Sequence, residues 1–100
     1  MRLELSNLKK IISNNAIDIK NFGVEEIYVF GSVARDEAKA DSDVDLFVVL
    51  NANAKVGLIK FITLKNFLSE KIGKNVDLVT KTALHPMLRE QILKEALRVA

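Results

Sequence analysis

Two short stretches decide how this chain folds: Gly31-Ser32-Val33-Ala34-Arg35-Asp36-Glu37-Ala38 and Ser42-Asp43-Val44-Asp45-Leu46. The first follows an apolar run over residues 27–30, and the second leads into an apolar run over residues 46–50. Each run has the length and composition of a strand. Both polar stretches are therefore expected at strand ends, where a Gly-Ser turn can face a pair of aspartates.

The two aspartates are spaced so that they act together. Side chains alternate along a strand, so Asp43 and Asp45 point to one side while Val44 and Leu46 point to the other. Two carboxylates this close repel each other unless a cation neutralises them. Mg²⁺ typically binds one or two carboxylates together with substrate phosphates and water, so the pair favours a magnesium-bound nucleoside triphosphate.

The Gly-Ser turn supplies groups that can bind phosphate. Gly31 lacks a Cβ and lets the backbone approach a phosphate closely, and Ser32 adds a hydroxyl and a backbone N–H. Arg35 can add a positive charge. We assign nucleotide contacts to Gly31, Ser32 and Arg35, together with Ser42 directly before the aspartate pair.

A third aspartate occurs later, in the short β-prone run over residues 75–80. Asp77 stands there where an apolar residue would otherwise be expected. Three carboxylates on two adjacent strands can bind two Mg²⁺ ions roughly 3.5–4 Å apart, one at the attacking oxygen and one at the leaving pyrophosphate. The sequence thus predicts Asp43, Asp45 and Asp77 as metal ligands and catalytic residues.

Other phosphate and metal motifs do not fit. A calcium loop beginning at Asp41 would need Gly at its sixth position and Glu at its twelfth, where the chain has Leu46 and Ala52. Neither a Gly-x-x-x-x-Gly-Lys nor a Gly-x-Gly-x-x-Gly pattern occurs. A strand cap and a solvent-facing carboxylate would explain a lone Asp-x-Asp, but here a Gly-Ser turn and a third aspartate accompany it.

At these residues the chain resembles the minimal nucleotidyltransferases of the DNA polymerase beta superfamily. Their pattern is Gly-Ser-x-Ala-Arg-Gly-x-Ala, a short spacer, Ser-Asp-x-Asp-Leu and a later strand with a third Asp, and residues 31–46 match it closely. The resemblance implies an α+β fold, a nucleotidyltransferase palm with a small mixed β-sheet packed against helices. It also implies that Gly31 and Ser32 contact the triphosphate of ATP and that the three aspartates bind Mg²⁺.

The resemblance also implies a partner. Many stand-alone members of the family are antitoxins encoded beside a helical HEPN ribonuclease toxin, and some transfer AMP from ATP to a tyrosine of that partner. One position departs from the pattern, since Asp36 stands where the family usually has glycine. An acid there weakens nucleotide binding if it points inward, and does little harm if it points to solvent.

Size and composition fit a single domain over residues 1–100, with little room for a separate substrate domain. Of the 100 residues 49% are hydrophobic, and 15 basic and 13 acidic residues leave a net charge of +2. This charge does not indicate a nucleic-acid groove. Without cysteine, signal peptide or long apolar span, the chain is expected to be cytoplasmic and to make no membrane contact. The acceptor must then be recognised on a partner protein, or with the help of a second copy in a homo-oligomer.

Apolar periodicity predicts the order of elements along the chain. The prediction is a helix over residues 3–22, a strand over 27–30, a short helix from residue 33, a strand over 44–50, a helix over 56–72, a strand over 76–80 and a final helix after Pro86. In the first helix the apolar face comprises Leu5, Leu8, Ile12 and Ile19, widened by Ile11, Ile17 and Phe22. The helix over 56–72 and the final helix carry more apolar residues than one buried stripe requires, which indicates an exposed surface for a partner.

Two classes of function follow. The first is an enzyme that transfers AMP from Mg²⁺-bound ATP to a tyrosine of a cognate HEPN ribonuclease. The alternative is an antitoxin that masks its partner by binding alone and whose nucleotide site is weak or vestigial. Nucleotidyl transfer to a small molecule or to an RNA end is chemically equivalent, but the chain shows no domain for such an acceptor.

Overall fold

The computed structural model describes residues 3–100, so that Met1 and Arg2 of the predicted domain lie outside the described residues. The helices are α1 (Leu5–Asn14), α2 (Ala16–Asn21), α3 (Gly31–Ala34), α4 (Leu58–Ile72) and α5 (Arg89–Glu95), with a 3₁₀ turn at Lys81–Ala83. The strands are β1 (Val24–Phe30), β2 (Val44–Leu50), β3 (Val76–Thr80) and β4 (Leu97–Arg98). This arrangement confirms the predicted α+β class.

The strands form one mixed sheet in the order β3-β2-β1-β4. β1 pairs antiparallel with β2 and with β4, whereas β2 pairs parallel with β3. A parallel pair needs a crossover connection, and α4 supplies it. The end of β1 therefore meets the starts of β2 and β3, which is the edge where the sequence places its polar residues.

One face of the sheet is buried against α1 and α4. Alternate residues of the three long strands form an apolar layer on this face: Ile27, Val29, Val44, Leu46, Val48, Val76 and Leu78. They belong to one core cluster with Leu8 and Ile12 of α1 and with Leu64 and Leu68 of α4. Burial of each large side chain contributes about 1.5–3 kcal/mol, so this layer holds the strands in register.

The opposite face of the sheet carries a smaller aromatic cluster. Phe47 is buried there although it lies outside the main core. Tyr28 stacks on Phe47 with ring centroids 4.7 Å apart, and Phe30 lies with its centroid 6.0 Å from Phe47. Because strand side chains alternate, Asp45 lies on this same face, two residues before Phe47.

The predicted helix over residues 3–22 is instead two helices, separated at Asn15. Asn15 has a φ of −114°, outside the helical range, and its Nδ2 donates a hydrogen bond to the carbonyl of Ile11 at 2.8 Å. The break turns Ile17 to solvent, where it is 79% exposed, so its placement on the apolar face is wrong. Leu8, Ile12 and Ile19 are buried, as predicted.

Element boundaries agree best for the strands that carry the aspartates. β2 and β3 have the predicted bounds, whereas β1 begins at Val24 rather than at residue 27. The helix predicted from residue 56 begins at Leu58, and the short helix predicted from residue 33 is a single turn from Gly31. After Pro86 the final helix does not begin until Arg89, and the chain then returns to the sheet as β4, which was not predicted.

Apolar side chains are exposed on two helical segments, as predicted. On α4, Leu58 and Ile59 are 75% and 82% exposed, and Ile62 is also exposed. Met87 and Leu88 are exposed before α5. Within residues 3–100, no helix is both long enough and apolar enough to cross a membrane.

A glycine ends α4 and provides a test of backbone strain. Gly73 has a φ of +78°, in the left-handed region, and a Cβ there would meet no atom within 4 Å. Gly73→Ala therefore adds strain without a collision, and we expect the free energy of unfolding to fall by about 1–2 kcal/mol in urea denaturation. Gly73→Asn is the matched control, because asparagine tolerates the left-handed conformation better than alanine and should lose less stability. Equal losses in the two variants would contradict this account.

Candidate active site

Asp45 and Asp77 lie side by side on neighbouring strands. The parallel register pairs Asp45 of β2 with Asp77 of β3, and the antiparallel register pairs Asp45 with Phe30 at the end of β1. Asp43 lies just ahead of β2 and is exposed, as is Asp77, whereas Asp45 is half-buried. The structure thus brings the predicted aspartates of two strands to one edge of the sheet.

The three carboxylates act on one another electrostatically. The pKa of Asp45 is raised above its usual value, first by burial and then by the negative charges of Asp77 and Asp43. Arg35 lowers this pKa by attraction, and Glu95 raises it further. An ionised Asp45 is therefore under repulsion that a cation at the site would relieve.

Gly31 passes directly over the Asp45 carboxylate. Its φ of +72° lies in the left-handed region, and a Cβ built there would lie 2.3 Å from Oδ2 of Asp45. No side chain fits in that space without displacing the carboxylate, so position 31 requires glycine for its backbone conformation and for its lack of volume. The predicted turn thus lies directly beside Asp45 of the predicted aspartate pair.

Arg35 and Gly31 share a partner that the sequence did not predict. The Gly31 N–H donates a hydrogen bond to Oε1 of Glu95 at 3.1 Å, and Nη1 of Arg35 lies 3.2 Å from the same oxygen. Nε of Arg35 also donates to Glu37 at 3.0 Å. Glu95 lies at the end of α5, 64 residues after Gly31, and no local pattern in the sequence links the two.

The two serines have different positions. Ser32 follows Gly31 within α3 and is half-buried. The hydroxyl of Ser42 accepts a hydrogen bond from the Lys39 N–H at 2.8 Å, and thereby holds the turn that leads into Asp43. Ser42 also lines a cleft of about 720 Å³, together with Lys10 and Lys74. None of the three aspartates lines this cleft.

Asp36 is exposed in the loop after α3. Its φ is +58°, a left-handed conformation that glycine adopts without strain and that aspartate tolerates better than most residues. This conformation gives a physical reason why glycine is usual at the position in the family pattern. Of the two placements considered for Asp36, the structure has the solvent-exposed one.

The part of the chain that the structure describes holds no ready-made metal cage. Among residues 3–100, no three His, Cys, Asp or Glu side chains come close enough together to hold a metal ion. The donor set nevertheless fits Mg²⁺, which takes one or two carboxylates and completes its shell with phosphates and water. Asp45, which is half-buried, and its neighbour Asp77 form a pair of hard oxygen donors. A divalent ion would offset the repulsion between them.

Known proteins are similar to this chain in sequence. The nucleotidyltransferase domain family matches residues 5–99. The protein adenylyltransferase MntA of Thermococcus cleftensis is 39% identical over 98 residues, which cover 97% of each chain. A candidate protein adenylyltransferase of Methanocaldococcus jannaschii is 34% identical over 97 residues, covering 95% of this chain and 97% of that one.

Solved structures agree with the fold. A structure described as that of a candidate minimal nucleotidyltransferase superposes with a TM-score of 0.78 at 37% identity and covers 95% of both chains. A complex of a tri-AMPylated Shewanella oneidensis HEPN toxin with its MNT antitoxin superposes with a TM-score of 0.63 at 20% identity, covering 92% of this chain and 71% of that one. This second likeness shows a shared fold. Because the family match and the adenylyltransferase relatives each span nearly the whole chain, this protein belongs to the minimal nucleotidyltransferases and is an enzyme of the nucleotidyltransferase class.

Proposed function

We propose that this protein is a Mg²⁺-dependent protein adenylyltransferase that acts as an antitoxin by transferring AMP from ATP to a tyrosine of a cognate HEPN ribonuclease. The observation that carries the proposal is the in-register pair of Asp45 and Asp77 beneath the Gly31 turn. The two carboxylates repel each other, which favours a cation, and the turn has no side chain at Gly31, which leaves space for a phosphate.

The Gly31 turn and its neighbours bind the triphosphate in this proposal. The backbone at Gly31 and the hydroxyl and N–H of Ser32 donate to phosphate oxygens, and Arg35 neutralises part of the charge. Ser42 acts at the other side of the site, where its hydrogen bond with Lys39 positions Asp43.

Asp43, Asp45 and Asp77 would hold Mg²⁺, with two ions as the proposed number. Bound there, Mg²⁺ neutralises the charge on the triphosphate and on the departing pyrophosphate. Burial and then the charges of Asp77 and Asp43 raise the pKa of Asp45, and a cation held by these carboxylates would offset the repulsive part, which supports this role.

The proposed reaction joins the tyrosine oxygen to the α-phosphorus of ATP and breaks the bond from that phosphorus to the pyrophosphate oxygen. The phenolic proton must leave during attack, and we assign Asp77 to ease its loss because this carboxylate is exposed at the sheet edge. In-line positioning and charge neutralisation supply most of the acceleration, without a covalent enzyme intermediate.

A protein acceptor is favoured over a small molecule or RNA. The relatives that match over nearly their full length are named protein adenylyltransferases, and a structural neighbour is an MNT antitoxin bound to an AMPylated HEPN toxin. The described part of the chain is one sheet with its covering helices. The exposed Leu58, Ile59 and Ile62 on α4 offer apolar surface for a protein partner.

Gly31→Ala tests the contact between the turn and the aspartate. The new Cβ would lie 2.3 Å from Oδ2 of Asp45 and would push that carboxylate aside. We expect calorimetry to show Mg²⁺·ATP affinity weakened by about tenfold or more. Gly73→Ala is the matched control, because it carries a similar positive φ but open space, and it should bind as the wild type does. Unchanged affinity in Gly31→Ala would contradict the assignment.

The raised pKa of Asp45 predicts how stability depends on pH. A carboxyl whose pKa is higher in the folded state than in the unfolded state loses stabilisation as pH rises through that range. Near neutral pH the ionised Asp45 therefore destabilises the fold, and Asp45→Asn should raise the melting temperature. The gain should shrink as pH falls through the raised pKa of Asp45 towards about 4, and it should vanish at lower pH, where the carboxyl is protonated in both states. Glu25→Gln, which removes one charge from the exposed side of β1, is the control, and a gain independent of pH would contradict the assignment.

The transfer reaction is the decisive test. With ATP, Mg²⁺ and the proposed cognate HEPN ribonuclease, the wild-type protein should add AMP to a partner tyrosine and lower ribonuclease activity, as read by intact-mass spectrometry and an RNA cleavage assay. Asp77→Asn should slow transfer by about 10²-fold or more and leave complex formation intact. Asp41→Asn, on the exposed loop before the site, should keep normal rates.

Other outcomes would replace the proposal. A complex with blocked ribonuclease and no adenylyl adduct would mean an antitoxin that acts by masking alone. Adducts on a small molecule or an RNA end, with none on the partner protein, would mean that the acceptor is not a protein.

A further inference from the structure

The carboxylate of Glu95 occupies the donors that the proposed function assigns to the triphosphate. Its Oε1 accepts a hydrogen bond from the Gly31 N–H at 3.1 Å. Nη1 of Arg35 donates to both carboxylate oxygens, at 3.2 and 3.3 Å. The Glu95 side chain, from the far end of the chain, thus binds both the backbone N–H of Gly31 and the guanidinium of Arg35.

These contacts have the chemistry of a bound phosphate. A carboxylate, like a phosphate, presents anionic oxygens that accept charge-assisted hydrogen bonds from guanidinium and backbone N–H groups. The Gly31 N–H cannot donate at full strength to Glu95 and to a phosphate oxygen at once. The negative charge of Glu95 would also repel a triphosphate that arrives at the same donors.

The helix that carries Glu95 is itself little buried. No residue of α5 is fully buried, whereas the segment after it is held to β1: β4 pairs at Tyr28 and Val29, and Val99 and Ala100 form backbone hydrogen bonds with Ile27. Arg89, at the start of α5, donates from Nη1 to the Lys81 carbonyl at 2.8 Å and ties the helix to the 3₁₀ turn. Because no side chain of α5 is fully buried, the Glu95 carboxylate can leave the turn while β4 and the residues after it stay paired with β1.

Resting on the proposed function, we propose that Glu95 is an internal competitor of the triphosphate. In the nucleotide-free protein it holds Gly31 and Arg35 in their binding positions, and Mg²⁺·ATP must displace it to bind. Glu95 is then a positioning residue that sets nucleotide affinity through the turn and does not take part in the chemical step.

Calorimetric titration with Mg²⁺·ATP tests this role. Glu95→Gln removes the competing charge and keeps the shape of the side chain, and we expect affinity to rise by about three- to tenfold, the change expected when one ordinary hydrogen bond is lost. Glu95→Ala also removes the acceptor and should bind at least as tightly as Glu95→Gln. Glu90→Gln is the control on the same helix, because Glu90 is exposed and lies 3.5 Å from Lys94, and its affinity should match the wild type. Inorganic tripolyphosphate with Mg²⁺ should give the same order of affinities among these variants, because Glu95 competes only for the groups that donate hydrogen bonds to phosphate.

A measurement on the wild-type protein needs no variant. The ¹³C resonance of the Glu95 side-chain carboxyl should move when Mg²⁺·tripolyphosphate saturates the protein, because the carboxylate then leaves Gly31 and Arg35. A resonance that stays in place at saturation would overturn the inference, even if the Glu95 variants fold poorly.

The results separate this inference from the function on which it rests. Equal or weaker nucleotide binding in both Glu95 variants, with normal binding in the wild type, would overturn the competitor role and leave the adenylyltransferase proposal in place. Weaker binding would then make Glu95 a direct ligand of the nucleotide or its metal. Absence of binding in the wild type and in every variant would overturn both.

Discussion

The close approach of the Gly31 backbone to the Asp45 carboxylate is the constraint on which the site depends. Antiparallel pairing ends with Phe30 opposite Asp45, so the chain must turn away immediately above an acidic side chain. Only a residue without a Cβ can turn there in a left-handed conformation and leave the carboxylate in place. The sheet, the turn and the carboxylate therefore constrain one another, which explains why a palm of this type can be built from so few residues.

Local chemistry explains which parts of the fold the sequence could predict. β2 and β3 have the predicted bounds because each is a compact run of β-prone residues, and both begin beside an aspartate that marks the sheet edge. Gly31 could be assigned because the need for a missing Cβ is a local property. The predicted meeting of Asp45 with Asp77 required only that two strands begin at the same edge.

Of the features that sequence analysis missed, one depends on a local hydrogen bond and two depend on contacts between distant parts of the chain. Asn15 interrupts the first helix through a hydrogen bond to Ile11, in a stretch whose apolar spacing continues across the break. β4 takes its conformation from pairing with β1, since Leu97 and Arg98 have the composition of the preceding helix. Glu95 could not be assigned because its partners are Gly31 and Arg35, more than half the chain away.

The in-register pairing of β2 with β3 also ties activity to correct folding. A slip of β3 by one residue would turn every side chain of the strand to the opposite face. Asp77 would then enter the apolar layer beside Leu46, and Val76 and Leu78 would face solvent. A buried, unpaired carboxylate costs several kcal/mol, on the order of the stability of a small domain. Asp77, which we assign to the chemistry, therefore also disfavours the misaligned sheet. A molecule that folds has Asp45 and Asp77 side by side.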